Sequence, residues 1–225
     1  MAAVQKSLAP TRRVLVAGGS GLIGRALLAQ LAADPAQPEV HAFLRRRLPA
    51  LGARVRQHEV DFAALPARLP AADDAYCCLG TTIKAAGSEA AFRAVDFDAV
   101  LAFARAAHAA GARRFAVVSA LGASKNSGVF YNRVKGGMEE ALAGIGFDSL
   151  VIARPSLLVG DRGRLGQPVR AGERIGLWLT APLGPLIPRS VRPIKVDTVA
   201  SGMIKALAQA RAGVRILESG ELQTL

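Results

Sequence analysis

The stretch Val14-Leu-Val-Ala-Gly-Gly-Ser-Gly-Leu-Ile-Gly24 decides how the chain is to be read. Val14, Leu15 and Val16 form an apolar run too continuous for a strand with one solvated face, and suited to the middle of a parallel sheet. Gly18, Gly21 and Gly24 follow at intervals of three, and Leu22, Ile23, Ala26, Leu27 and Leu31 then trace one face of a helix. Strand, glycine turn and helix in that order give the glycines a chemical reading. A pyrophosphate reaches the outward N–H groups of a helix N-terminus only where no Cβ holds it off. Gly18, Ser20, Gly21, Leu22, Ile23 and Gly24 are therefore candidate dinucleotide contacts, with Gly24 expected to let the helix pack tightly on the strand. The overlapping Gly19-x-Gly21-x-x-Gly24 spacing leaves the register of the phosphate contacts open. A glycine turn that merely reverses the chain is the plainer alternative.

Dinucleotide folds place a ribose-reading residue just past the second strand, about 20 residues beyond the glycine loop. Here the second strand, Val40 to Leu44, runs into Arg45, Arg46 and Arg47. An acid there would accept from the adenosine 2′-hydroxyl of NAD. Guanidinium groups suit a 2′-phosphate instead, so NADP is expected and NAD is disfavoured. Glu39 lies at the wrong end of the strand to reverse this, and a solvated charge run is the alternative.

The strand Val55 to Val60 leads to Asp61 and Phe62, a corner expected beside the adenine, where Asp61 either accepts from the exocyclic amine or shapes a turn. Ala75 to Leu79 is the fourth strand. Leu79, Gly80, Thr81 and Thr82 follow at its C-terminal end, where ligands of open α/β sheets collect. One long Ala-rich helix is expected over Ala85 to Ala110, stopped by Gly111, and a fifth strand over Phe115 to Ser119. Tyr131 and Lys135 then stand one turn apart on the same face of the next helix. An ammonium at that spacing stabilises a phenolate, which lets the phenol exchange a proton with a substrate oxygen. An exposed Tyr and Lys on a solvated helix is the alternative. Leu150 to Ala153 is the sixth strand, followed by Arg154, Pro155 and Ser156. Interruptions by Pro168, Pro182, Pro185 and Pro188 mark 155–195 as a small substrate lobe, with Trp178 in its core, inserted in a single domain over 1–225. Val196 to Ala210 returns to helix, and Val214 to Leu217 to strand.

No apolar run approaches the ~18 residues of a membrane helix, so no membrane partner is expected. Met1 to Pro10 lacks the apolar core of a signal peptide and reads as a frayed leader. Cys77 and Cys78 are adjacent in a strand and point to opposite faces, which makes them buried small hydrophobes rather than a disulfide and suggests a reducing cytoplasm. His41, His58 and His108 share no ligand spacing with Cys or carboxylates, so no metal is expected. The net charge of +12 is scattered over Arg12-Arg13, Arg45 to Arg47, Arg113-Arg114, the Arg162 to Arg174 series, Arg189 and Arg192, without interleaved aromatics. It reads as a solvated basic surface partly serving an anionic ligand, and nucleic acid is not expected as a partner.

As an ordered set, Gly18-x-x-Gly21-x-x-Gly24, Leu79-Gly80-Thr81-Thr82, Tyr131-x-x-x-Lys135 and Arg154-Pro155-Ser156 resemble the short-chain dehydrogenase/reductase superfamily. They are most similar to its extended or atypical branch, near the nucleotide-sugar epimerases. Cys77-Cys78-Leu-Gly-Thr-Thr82 with Tyr131-Asn-Arg-Val-Lys-Gly136 is similar to the Tat-interacting oxidoreductase-like subgroup. The resemblance implies a doubly wound parallel Rossmann sheet, NADP in its crevice and a Tyr/Lys acid–base pair. It further implies that Lys135 bonds the nicotinamide ribose and that Pro155 and Ser156 lie near the nicotinamide. Members with full activity place a Ser or Thr after the fifth strand. Here Ser119 ends the strand and Ala120 falls on the usual position, with Ser124 or Ser127 as loop substitutes. The expectation is an NADP-dependent oxidoreductase acting on a carbonyl or alcohol of a small molecule, with Tyr131, Lys135 and Ser119 catalytic. The alternatives are a cofactor-sensing regulatory protein and an epimerase-like enzyme, and the Ala-rich helix offers a surface for a homodimer.

Overall fold

Val14 to Ala17 are fully buried within strand β1 (Arg13–Ala17), as their uninterrupted apolar character requires. The computed structural model describes residues 11–36, 38–49, 51–159, 188 and 191–225. Around β1 lie β2 (Glu39–Leu44), β3 (Val55–Glu59), β4 (Asp74–Cys77), β5 (Arg114–Val118) and β6 (Ser149–Arg154). β7 (Leu158–Val159) and β8 (Ile194–Lys195) form a separate parallel pair, and β9 (Gly213–Glu218) rejoins the main sheet. The seven-stranded sheet has the order β3-β2-β1-β4-β5-β6-β9, and every pairing in it is parallel. The chain winds outward through β2 and β3, then returns to place β4 on the other flank of β1. That reversal opens a crevice beyond the C-terminal ends of β1 and β4, where such sheets bind ligands.

The period-2 geometry of the strands divides the core between two faces. Val14 and Val16 pack with Leu27, Leu28 and Leu31 of α1 (Leu22–Ala32). The same face holds Val199 and Met203 of a later helix, Val196–Ala208. Leu15 and Ala17 turn to the opposite face, which is covered by the helices Val100–Ala109 and Phe130–Ala143 through Phe103, Ala107, Met138 and Leu142. Cys77 joins this second cluster and Cys78 packs against the first, so the two thiols are free and divided between the faces, as their adjacency in a strand predicts.

The single helix expected over 85–110 is broken, and its parts differ in pitch. α2 (Ile83–Ala86) ends at Gly87, whose left-handed φ of +87° closes it, and Ser88 caps a new start by accepting from Ala91 N–H at 3.1 Å. From there α3 (Glu89–Arg93) passes into a π-helical turn, Ala94–Ala99, and on into α4 (Val100–Ala109). Backbone angles stay right-handed helical at both joints, Arg93 and Val100, so this is one rod with a widened turn. Among the described residues the remaining helices are α5 (Phe130–Ala143), α6 (Val196–Ala208) and α7 (Ser219–Leu222).

At the sheet edge away from the crevice, the buried Asp74 carboxylate of β4 is gripped by the guanidinium groups of Arg12, just before β1, and Arg114 of β5. This ties the N-terminal edge of the sheet together. The substrate lobe expected over 155–195 lies mostly outside the described residues, as do Trp178 and the Arg162 to Arg174 series.

Candidate cofactor and proton-transfer site

The glycine turn is built by close approach. Gly18 has φ +80°, and a Cβ there would stand 2.4 Å from the Cys78 carbonyl carbon; one on Gly24 would stand 2.2 Å from Gly18 O. Gly24 thus lets α1 press on the turn itself rather than on the strand. Gly21 differs: a Cβ there would meet only Gly18 O, at an ordinary 3.5 Å. No described atom of the chain demands glycine at that position. It is the N-cap of α1, and no side chain caps the helix. An open cradle at an uncapped helix N-terminus fits a dinucleotide pyrophosphate. Ser20 and Leu22 are half-buried at its rim, whereas the Ile23 side chain belongs to the core, leaving its backbone for a ligand.

At the end of β2, Arg45 and Arg46 are exposed and form no ion pair among the described residues. Glu39 sits at the far end of the strand, 3.1 Å from Arg56. Asp61 uses Oδ1 to accept from Ala63 N–H at 2.9 Å, so it shapes the turn, and Phe62 is buried in the core.

The corner after β4 shows what the sequence did not. Thr82 caps α2, its hydroxyl accepting from Ala85 N–H. Thr81 N–H donates at 2.7 Å to Oδ2 of Asp96, in the π-helical turn. Oδ1 of the same carboxylate lies 2.8 Å from the Lys135 ammonium, and both residues are at most 2% exposed. A Cβ on Gly80 would stand 3.3 Å from Asp96 Oδ1, so the Leu79–Thr82 corner rests directly on this ion pair. Burial works against the charge on Lys135, but Asp96 outweighs it and holds the ammonium above the ordinary lysine range. Tyr131 shares the α5 face with Lys135, is half-buried, and packs on Phe92 with ring centroids 5.2 Å apart. Its hydroxyl makes no hydrogen bond to a described residue. π-Helical turns often mark functional positions, and the signal for this one was a carboxylate in the apolar stripe Phe92, Ala99, Val100, Phe103.

Ser119 is brought near this corner but is otherwise engaged. Only 5% exposed, it donates its hydroxyl to Glu139 of α5, which also receives Arg154 Nε at 3.0 Å. Hydrogen bonds from Arg154 to Glu139, together with those to Glu218, hold its guanidinium far above the ordinary range. The loop serines differ: Ser124 Oγ accepts from Asn126 N–H and Ser127 Oγ from Val129 N–H, roles that leave each O–H to donate. Ser156 donates to Arg192 O and meets Ser219 Oγ at 2.9 Å, and Pro155 is buried. Burial pushes the Cys77 thiol up to about 12 and the Cys78 thiol upward as well, so neither supplies a thiolate. Among the described residues no His, Cys, Asp and Glu cluster could hold a metal, and no helix is long and apolar enough to cross a membrane.

A family of proteins described as NAD(P)H-binding matches residues 18–170. The chain belongs to the NAD(P)H-binding family. Protein FMP52, mitochondrial, of Eremothecium gossypii is 34% identical over 222 residues, 94% of this chain and 96% of that protein. Protein HTATIP2 of Rattus norvegicus is 34% identical over 218 residues, 92% of this chain and 86% of that protein. Among solved structures, MoeE5 in complex with UDP-glucose and NAD matches with a TM-score of 0.70 and 19% identity, over 91% of this chain and 75% of that one. At that identity the likeness shows the fold alone. Family and Rossmann architecture thus stand as the motifs indicated. The cytoplasmic location does not: the FMP52 relatives are named mitochondrial. Unpaired cysteines separate reducing from oxidising surroundings, not one reducing compartment from another.

Proposed function

We propose that this member of the NAD(P)H-binding family is an NADP-dependent oxidoreductase that reduces the carbonyl of a small molecule. The observation that carries the reading is the buried Lys135–Asp96 pair at 2.8 Å, set on the helix face of Tyr131 and under the Gly80 corner of the crevice. A lysine costs several kcal/mol to bury as an ion unless a partner holds it. This one is held where the reacting end of a dinucleotide would lie. Gly21 and the first turn of α1 would take the pyrophosphate, and Arg45 and Arg46 the adenosine 2′-phosphate. When bound, the nicotinamide supplies the hydride chemistry. Lys135 holds the ribose and orients the phenol, and Tyr131 moves a proton at its hydroxyl oxygen. The test is consumption of NADPH with a panel of aldehydes and ketones: turnover with at least one is expected.

A second reading has one observation in its favour. The Ser119 hydroxyl is committed to Glu139, so the serine that ends the fifth strand does not offer its proton to a substrate oxygen. A cofactor sensor with little turnover would bind NADPH tightly and reduce none of the panel.

A further inference from the structure

We propose that Asp96 cancels the charge of Lys135 at Tyr131, and so keeps the site in the protonated phenol form that serves carbonyl reduction over alcohol oxidation. The proposal rests on the reading of Tyr131 and Lys135 as the proton-transfer pair.

The geometry sets the electrostatics. Asp96 is 1% and Lys135 2% exposed, with Nζ and Oδ1 2.8 Å apart, so a third group feels a compact dipole rather than a lone cation. The carboxylate is held from both sides, by the ammonium on Oδ1 and by Thr81 N–H on Oδ2. Around Lys135 stand Asp96 of the π-helical turn, Tyr131 of α5, Cys77 of β4, and the Val118 carbonyl of β5 at 3.5 Å. The buried Cys77 thiol is neutral. Glu139, one turn further along α5, is matched by Arg154. Among the described residues the corner therefore holds one positive and one negative charge.

An isolated phenol has a pKa near ~10 and ionises near neutrality only beside a net positive charge. A neutral pair provides little of this. The phenol is the form needed for reduction. NADPH, when bound, would supply the hydride to the carbonyl carbon and be left as NADP. The C=O π bond breaks, its oxygen takes the Tyr131 proton, and the phenolate regains a proton from water. The reverse reaction needs the phenolate first.

The chain has two tyrosines, and burial drives the other one, Tyr76, far up, so ionisation of Tyr131 can be read by itself. The experiment follows tyrosinate ultraviolet absorbance against pH in the cofactor-free protein, which needs no substrate and separates this proposal from the proposed activity. Asp96→Asn keeps the shape but removes the anion, and should lower the Tyr131 midpoint by about one unit or more. Tyr131→Phe should abolish that transition. An unchanged midpoint in Asp96→Asn, or a wild-type midpoint near neutrality, would overturn the proposal. If Asp96→Asn does not fold, the neutral pair Asp96→Asn/Lys135→Met decides. A midpoint close to wild type supports cancellation, and one well above it shows that Lys135 acts uncancelled.

Discussion

Ser119 gives its hydroxyl to the carboxylate of Glu139, and both residues are buried. This places the serine in a structural chain that continues through Arg154 to Glu218 and pins β5, β6, α5 and β9 to one another.

Ser119→Ala should therefore cost stability rather than chemistry. Glu139 keeps Arg154, so the loss is about 1 kcal/mol, a hydrogen bond's net worth. Denaturant unfolding should show that decrease while turnover of any substrate stays within a few-fold of wild type. A fall of a hundredfold or more would return Ser119 to the reacting oxygen.

Gly24 and Gly21 should separate fold from function. Gly24→Ala puts a methyl 2.2 Å from Gly18 O and should lower the melting temperature sharply. Gly21→Val meets no such obstacle inside the chain and should fold, yet lose NADPH binding, because the side chain takes the space of the pyrophosphate. Calorimetric titration of folded Gly21→Val showing wild-type affinity would remove the phosphate from this cradle.

Cofactor choice should follow the arginines after β2. Charge-assisted bonds of this kind contribute roughly 1.5–3 kcal/mol each. Arg45→Ala/Arg46→Ala should weaken NADPH by at least one order of magnitude and leave NADH nearly unchanged. Equal losses for both dinucleotides would mean that these side chains do not read the 2′-phosphate.

What the sequence made legible, and what it did not, has a physical basis. Parallel strands buried on both faces announce themselves as continuous apolar runs, which is why Val14–Val16 and Leu150–Ala153 fell inside β1 and β6. The β4 run Ala75–Leu79 extended past its strand because Cys78 still donates to Ala17 O at 2.8 Å without continuing the ladder. Helix pitch was invisible: alanine serves α and π turns alike, so Ala85 to Ala110 read as one helix although Gly87-Ser88 punctuates it. Asp96 was missed for a different reason, its partners being remote in sequence. Its role depends on Thr81, in the corner between β4 and α2, and on Lys135 of α5. Glu139 looked like one more helix carboxylate because Arg154 reaches it from another element.

The imidazoles of His41 and His58, joined by a 2.8 Å hydrogen bond, make stability sensitive to acid. Burial first holds both below the ordinary histidine value, followed by the charges of His58 and Arg56 for His41 and of Arg56 and Arg47 for His58. As pH falls below about 6.5 the unfolded chain binds protons that the native pair refuses, so unfolding is favoured. The melting temperature should drop between about pH 7 and pH 5, and less so in His58→Gln. Parallel declines in the two proteins would contradict this.

The measurement that bears most directly on the account is the effect of Tyr131→Phe on NADPH-dependent carbonyl reduction, read beside NADPH affinity in the same protein. The substitution keeps the ring against Phe92 and deletes one exchangeable proton. Positioned acid–base catalysis contributes about 10²–10⁴-fold, and turnover should fall by that factor with the NADPH dissociation constant nearly intact. Full turnover in Tyr131→Phe, or a wild-type protein that binds NADPH and reduces no carbonyl compound, would contradict the assignment.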